Sequence, residues 1–206
     1  MAPVATGPRA PGPDPARVPA LGAALVLAAG GGSRYRGSTH KLLAPFRGST
    51  VVGEAVARAL EAGLDEVVVV EGAVPLGPVL AGLPVHLVTN PAWAEGQAGS
   101  LQVGVRAAAA LGCDAVTVGL GDQPLLHPAA WRAVAATTVA PVAVALVDGR
   151  PAQPVRLAAA VWPALPRSGD AGARAVIASG RFPVAALTCP GTPVDIDTEE
   201  DLRRWS

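Results

Sequence analysis

Lysine is all but missing from this chain: Lys41 is the only one among 206 residues, against fifteen arginines. Asparagine and tyrosine also occur once each, at Asn90 and Tyr35, and isoleucine is scarce. Alanine, glycine, proline, valine and arginine fill their places. Such a bias weakens arguments from residue propensity, so spacing and position carry more weight. Net charge is zero, which argues against a chain-wide basic surface for nucleic acid or acidic lipid. Charge needed for function must then be local. No uninterrupted apolar run approaches the roughly 20 residues of a membrane span. Residues 1–20 are rich in proline and small residues and lack the apolar core of a signal peptide, so they read as a disordered extension. Residues 21–206 suit one domain with a sizeable core. The two cysteines, Cys113 and Cys189, lie far apart and form no metal-ligand spacing with His40, His86 or His127. Buried free thiols in a reducing cytoplasm are expected.

What the chain does have is concentrated between Leu25 and Lys41, in the stretch LVLAAGGGSRYRGSTHK. An apolar run passes through three glycines and turns basic at Arg34, Arg36 and Lys41, as a buried strand does when it opens into a cationic loop. The main-chain N–H groups of Gly30, Gly31 and Gly32 can approach an anion closely because no Cβ intervenes. A phosphate-bearing ligand fits such a site. Two known phosphate motifs fail here. The dinucleotide fingerprint starts at Gly30 and Gly32 but meets Tyr35 where its third glycine belongs. Gly32 and Gly37 have P-loop spacing, yet Ser38 stands where that loop needs lysine. The one lysine, Lys41, follows shortly after, a compact ammonium in a chain that otherwise uses arginine.

Downstream, strands and helices alternate. Ser49 reads as the cap of a helix running to about Ala62. Glu66 to Val70 is a near-continuous valine strand of the kind covered on both faces, and Val85 to Thr89 is another. A polar loop from Asn90 leads into a helix over Ser100 to Leu111. The strand Asp114 to Leu120 delivers Gly121, Asp122, Gln123 and Pro124 at its C-terminal end, the edge where ligands bind in open α/β sheets. Pro128 to Val139 reads as a helix, Val142 to Val147 as a strand, Asp148 to Gln153 as a turn and Pro154 to Leu157 as a short strand. Gly169 to Arg174 opens a further helix, with Asp170 a candidate cap. Near the end, Asp195 and Asp197 stand two apart in an extended segment and project to one face. Thr198 and Asp201 have the spacing of a capping box for the closing helix. The alternation predicts a three-layer α/β/α domain with a mainly parallel sheet.

Several segments together resemble the MobA-like nucleotidyltransferases over about residues 22 to 204. Leu27, Ala28, Ala29, Gly30, Ser33, Arg34, Gly37 and Lys41 supply that family's opening signature with about one extra residue, so Arg34 and Arg36 both remain candidates for its arginine. Asn90, Trp93, Gly96, Ser100 and Leu101 match a second segment, and Gly121-Asp122-Gln123-Pro124 a third. Gly149, Gln153 and Pro154 match a fourth imperfectly, Ala152 replacing its second glycine. Gly169 to Arg174 and the ending Asp195-Ile196-Asp197-Thr198 complete the likeness.

The resemblance implies a Rossmann-like nucleotidyltransferase fold with a mixed, mainly parallel sheet. It implies a nucleotide held by Ala28, Ala29, Gly30, Gly31, Gly32, Ser33, Lys41, Asn90, Gly96, Ser100, Gly121 and Asp122. Arg34 or Arg36, Lys41 and Asp122 would act in catalysis, and Asp122 with Asp195 or Asp197 would hold Mg²⁺. Gln123, Gln153 and Asp170 would face the acceptor. The expected reaction transfers a nucleotidyl group from a nucleoside triphosphate to a small phosphorylated acceptor and releases pyrophosphate. CTP and a molybdopterin-type acceptor are favoured; GTP and sugar or alcohol phosphates are the alternatives. A non-catalytic maturation partner of a molybdenum enzyme is the competing reading, and neither nucleic acid nor membrane is expected as a partner. Removing Lys41 or Asp122 is expected to depress turnover far more than stability.

Overall fold

The computed structural model describes residues 21–206, and the proposed extension over 1–20 lies outside them. Its centre is β1 (Gly22–Ala28), where Ala23, Leu25 and Leu27 face one side of the sheet and Ala24, Val26 and Ala28 the other. That two-residue alternation of uniformly apolar side chains requires a cover on both faces. Parallel partners β4 (Glu66–Glu71) and β6 (Ala115–Leu120) flank β1. Beyond β4 lies β5 (His86–Thr89). On the other side follow β8 (Arg150–Ala158), β7 (Val142–Val147) and β9 (Val184–Thr188), giving the order β5-β4-β1-β6-β8-β7-β9. Among the described strands only β8 runs against its neighbours. The sheet is therefore mixed and mostly parallel, as the alternation of elements predicts.

Helices cover both faces. On one, α3 (Gln97–Ala110) and α5 (Gly172–Ala178) bury Leu101, Val105, Ala108, Ala173 and Val176 against Leu25, Val68, Val116 and Val155. On the other, α1 (Val51–Glu61) and α4 (Pro128–Ala135) bury Val52, Val56, Ala59 and Trp131 against Ala24, Val26 and Val69. Each Leu or Val side chain so buried contributes about 1.5–3 kcal/mol. The short helix α2 (Gly77–Leu80) and the closing helix α6 (Glu199–Trp205) complete the layers. Among the described residues no helix is long and apolar enough to cross a membrane.

Several boundaries differ from the sequence reading. Thr50, not Ser49, caps α1, its hydroxyl accepting from the Gly53 N–H, because Ser49 pairs with Phe46 in a small hairpin of β2 (Pro45–Phe46) and β3 (Ser49–Thr50). The helix α3 starts three residues before Ser100, since the Gly169 carbonyl accepts from Ala98 N–H and satisfies a free amide of the first turn. α4 stops at Ala135, short of Val139; the β-branched pair Thr137 and Thr138 and then Pro141 follow. The turn after β7 is only Asp148 and Gly149, both at positive φ, so β8 begins at Arg150. Asp-Gly is the pair that a two-residue hairpin of this hand favours. Finally β9, which the sequence reading passed over, forms the far edge of the sheet.

Candidate functional site

From β1 the chain runs outward through α1 to β4 and on to β5, then crosses back through α3 to β6 on the other side of β1. The C-terminal ends of β1 and β6 thus form the switch point where open sheets of this kind bind ligands. Gly121 lets the two ends close up: a Cβ there would lie 2.7 Å from that of Ala28. Asp122 stands directly above.

A single main-chain bond brings the end of the chain to the same place. The Ile196 N–H donates to the Asp122 carbonyl at 2.8 Å. Ile196 is fully buried among Ala44, Phe46 and Val51, so the carboxylates on either side of it face the opposite way. The segment is not a strand, but its extended backbone has the predicted alternation. Asp197 and Asp122 meet at Lys41: its ammonium donates to Asp122 Oδ2 at 2.6 Å and to Asp197 Oδ1 at 2.8 Å, with its side chain only 9% exposed. Burial pulls the Lys41 pKa down, and the charge of Asp122 and the bonds to both carboxylates outweigh it, so the group titrates above an ordinary lysine. Arg34 Nη1 reaches Asp197 Oδ2 at 2.9 Å, whereas Arg36 makes no ion pair among the described residues. Between the two arginine candidates, Arg34 is the one in the cluster. Asp195 receives a bond from Gln123 Nε2 at 2.6 Å. Cavity walls and then the nearby Asp122 charge raise its pKa above the usual carboxylate range. The acidic side chains distant in sequence therefore gather at one point.

The glycine loop closes over this cluster. A Cβ on Gly32, at φ 61°, would sit 3.1 Å from Lys41 Cγ, and one on Gly31 would sit 2.8 Å from the Trp93 ring. Trp93 thus supports the loop from behind, and Gly72 makes room for it. Tyr35, in the place where a dinucleotide fingerprint needs glycine, packs instead with the Phe46 and Ile196 cluster. Glu71 ties the second rim together by accepting from Leu76 N–H and from the Thr89 hydroxyl.

Asn90 and Ser100 are both buried and bonded to each other: Asn90 Nδ2 donates to the Ser100 hydroxyl at 3.0 Å, and Asn90 Oδ1 accepts from Ala92 N–H. They fix the loop that carries Trp93. Gly96, at φ 112°, packs against Gly169, where a Cβ would lie 2.5 Å from the carbonyl. Asp170 does not cap α5, whose first flanking residue is Ala171; its carboxylate lies beside Gly96 and lines a cavity. Ala29, Gly30 and Ser33 complete the loop, Ala29 buried and the other two exposed.

That cavity, about 970 Å³, opens beside Asp195 above β6, β8 and β7. Its floor is apolar, formed by residues such as Leu101, Val118 and Val155, and Gln97, Gln123 and Gln153 converge on it. The chain has four glutamines and three of them are here. Among the described residues Gln123 Oε1 and Gln153 Oε1 are buried without a hydrogen-bond partner, an unmet requirement that a polar ligand would satisfy. Gln153 reaches the cavity because the ladder pairs Val144 with Val155 and Ala145 with Ala152, leaving Gln153 and Pro154 bulged between. Sequence reading matches Trp93 to a family segment without naming it a site residue, and gives no role to Gln97 or His40; the rarity of glutamine is the available signal for Gln97.

Among the described residues no three His, Cys, Asp or Glu side chains form a ready cage for a metal ion. The position between Asp122 and Asp197 is filled by Lys41.

Residues 24–184 match the model of the MobA-like NTP transferase domain. The chain is 30% identical to the purine catabolism protein PucB of Bacillus subtilis over 85% of this chain and 92% of that one. It is 32% identical to the nicotine blue oxidoreductase of Paenarthrobacter nicotinovorans over 87% and 94%. Among solved structures, Rv0371c of Mycobacterium tuberculosis superposes with a TM-score of 0.81 at 29% identity, covering 92% of this chain and 98% of that one. That protein has also been solved in complex with manganese. A Methanothermobacter nucleotidyl transferase superposes at 0.76 with 28% identity, over 89% and 95%. The chain belongs to the MobA-like NTP transferase family and is a nucleotidyltransferase.

Proposed function

We propose that the enzyme transfers CMP from CTP to a phosphorylated acceptor of molybdopterin type, with release of pyrophosphate. The observation that carries this reading is the convergence of Lys41, Asp122 and Asp197 under the glycine loop, next to a cavity with an apolar floor and two unpartnered glutamine oxygens. The loop and cluster suit a triphosphate. The cavity suits a flat, amide-bearing acceptor better than a sugar phosphate, whose hydroxyls would meet an apolar floor.

In this scheme the N–H groups of Gly31 and Gly32 and the hydroxyl of Ser33 receive the triphosphate, as the absence of Cβ at Gly30 to Gly32 allows. Lys41 and Arg34 carry the positive charge toward the oxygens on which negative charge builds as the α-phosphate is attacked. Gln123 and Gln153 hold the acceptor and orient its phosphate toward Asp122, while the cavity walls exclude bulk water. Asn90, Ser100 and Gly96 serve the nucleotide through the loop they shape. Asp170 stands at the acceptor end.

A divalent cation of the magnesium type would be held by Asp122 and Asp197, the two carboxylates that Lys41 bridges here. Such ions are commonly held by one or two carboxylates together with substrate phosphates. Two cations against three carboxylates leave the cluster short of positive charge once a triphosphate enters, and the manganese complex of the mycobacterial relative is consistent with that need. When bound, the ion would neutralise charge on the leaving pyrophosphate. The free thiols of Cys113 and Cys189 support a reducing compartment.

The name of the Paenarthrobacter relative describes a redox activity of that protein. Here Tyr35 lies where a dinucleotide loop needs glycine, and the retained carboxylates also argue against a purely non-catalytic maturation role. Incubating the protein with each nucleoside triphosphate, Mg²⁺ or Mn²⁺ and candidate acceptors, and measuring pyrophosphate, tests the reading. CTP with a molybdopterin acceptor should give the highest kcat/KM; preference for GTP or for a sugar phosphate would overturn the substrate assignment.

A further inference from the structure

His40 stands between the glycine loop and Lys41 and has one ring nitrogen in use. Nδ1 accepts from the Leu42 N–H at 3.3 Å, where His40 caps the single turn Lys41–Leu43. A nitrogen that accepts a hydrogen bond carries no proton, so in the neutral ring the proton sits on Nε2. Nε2 is buried and has no bonded partner among the described residues. It lies 3.2 Å from the position a Cβ on Gly32 would take, and the Gly31 and Gly30 main chains lie close enough to the ring to favour its protonated form, with neither in hydrogen-bond geometry to Nε2. An N–H donor is thus held against the loop one adjustment short of its acceptors.

The peptide group converts that placement into a function. In a trans peptide the C=O and the following N–H point in opposite directions. A carbonyl of Gly31 drawn toward His40 turns the N–H of Gly32 away from it, and the same holds for Gly30 and the N–H of Gly31. We propose that His40 is a positioning residue for the anion loop: its Nε2–H bonds the Gly31 or Gly30 carbonyl when a phosphate chain binds, fixing the amides of Gly32 and Gly31 toward the phosphate. The proposal rests on the assignment of this loop to the triphosphate. Burial keeps the ring neutral by lowering its pKa, opposed by the two carbonyls, so the group acts as a donor without adding charge.

Two substitutions separate the functions of the two nitrogens. Asparagine places an oxygen where Nδ1 is, keeping the cap of the turn while removing the donor. Glutamine places an amide N–H where Nε2 is. The probe is inorganic tripolyphosphate, titrated calorimetrically into the wild type, His40→Asn and His40→Gln, each first shown to be folded by its thermal melt. Loss of one hydrogen bond should weaken binding about tenfold in His40→Asn, while His40→Gln should stay within about threefold of wild type. In steady state, KM for the nucleotide should rise in His40→Asn, with KM for the acceptor unchanged. If His40→Asn binds tripolyphosphate like wild type, or if His40→Gln binds no better than His40→Asn, the proposal is overturned. Failure of the wild type to bind tripolyphosphate would instead overturn the assignment of the loop.

Discussion

Replacing Lys41 with methionine tests the arrangement of the cluster directly. Methionine keeps the length and much of the volume of the side chain and removes the ammonium that now lies 2.6 and 2.8 Å from two carboxylates. Asp122 and Asp197, 21% and 18% exposed, would then face each other across the vacated space. Two unit charges roughly 5 Å apart at an effective dielectric near 20 repel by about 3 kcal/mol. Breaking a buried pair by removing one partner costs about 3–5 kcal/mol. Partial solvent access at both carboxylates favours the lower figure. For a chain of this size ~3 kcal/mol is about 6–12 °C in Tm. The stability cost is then of the same order as the turnover cost, about 10²–10³-fold for a lost charge donor. That differs from the expectation from sequence, in which removing Lys41 depresses turnover far more than stability. Thermal melts followed by circular dichroism, with and without Mn²⁺, provide the assay. Mn²⁺ should raise the Tm of Lys41→Met more than that of wild type, because the ion replaces the missing cation. Asp197→Asn in the Lys41→Met background should recover most of the lost stability, since the repulsion is gone. A Lys41→Met protein melting within about 2 °C of wild type, or one that Asp197→Asn destabilises further, would refute the reasoning.

Gly30 and Gly72 should respond to alanine in opposite ways. Nothing lies within 4 Å of a Cβ at Gly30, so Gly30→Ala should leave stability within about 0.5 kcal/mol while raising KM for the nucleotide, as melts and steady-state kinetics would show. A Cβ at Gly72 would lie 2.6 Å from Trp93 Cβ and 2.8 Å from Ala29, so Gly72→Ala should cost about 1–3 kcal/mol in urea unfolding. Asp201 Oδ2 accepts from the Thr198 N–H and hydroxyl and from the Asp197 N–H. Asp201→Ala should therefore lose about 1 kcal/mol of cap stability and also raise the metal concentration for half-maximal turnover. Burial, with Glu66 and Asp65 nearby, pushes the Cys113 thiol up to about 11, and burial raises Cys189 as well. A disulfide reagent at pH 8 should label neither cysteine in the folded protein and both after unfolding.

The central strands and the ligand edge were legible because they depend on local pattern. A valine run such as Glu66 to Val70 has few alternatives to a doubly covered strand, and a glycine or an aspartate just after such a run falls at the C-terminal edge whatever the rest of the chain does. The Asp-Gly pair at 148 and 149 is equally local, although the turn it makes is shorter than the six residues expected from sequence. Contacts made across the sequence were not legible. The Gly169 carbonyl sets the start of α3 from more than seventy residues away, and the same carbonyl determines why residue 96 is glycine. The choice between Arg34 and Arg36 depends on Asp197, more than 150 residues downstream.

Residue rarity carried information that spacing did not. In a composition that supplies alanine and arginine nearly everywhere, a residue type used once or a few times marks a position where its own geometry is required. The one lysine is buried and bridges two carboxylates, a compact charge that the planar fork of arginine would overfill. The one asparagine is buried and spends both its donor and its acceptor within ten residues, a combination that neither aspartate nor alanine offers. Three of the four glutamines line one cavity, two with an oxygen left unbonded. Asn90 is satisfied within the protein and so sets its framework, whereas Gln123 and Gln153 are incompletely satisfied and so face what the protein binds. By that criterion His40, with one nitrogen bonded and one not, belongs to both groups, and the loop it supports is where framework and ligand meet.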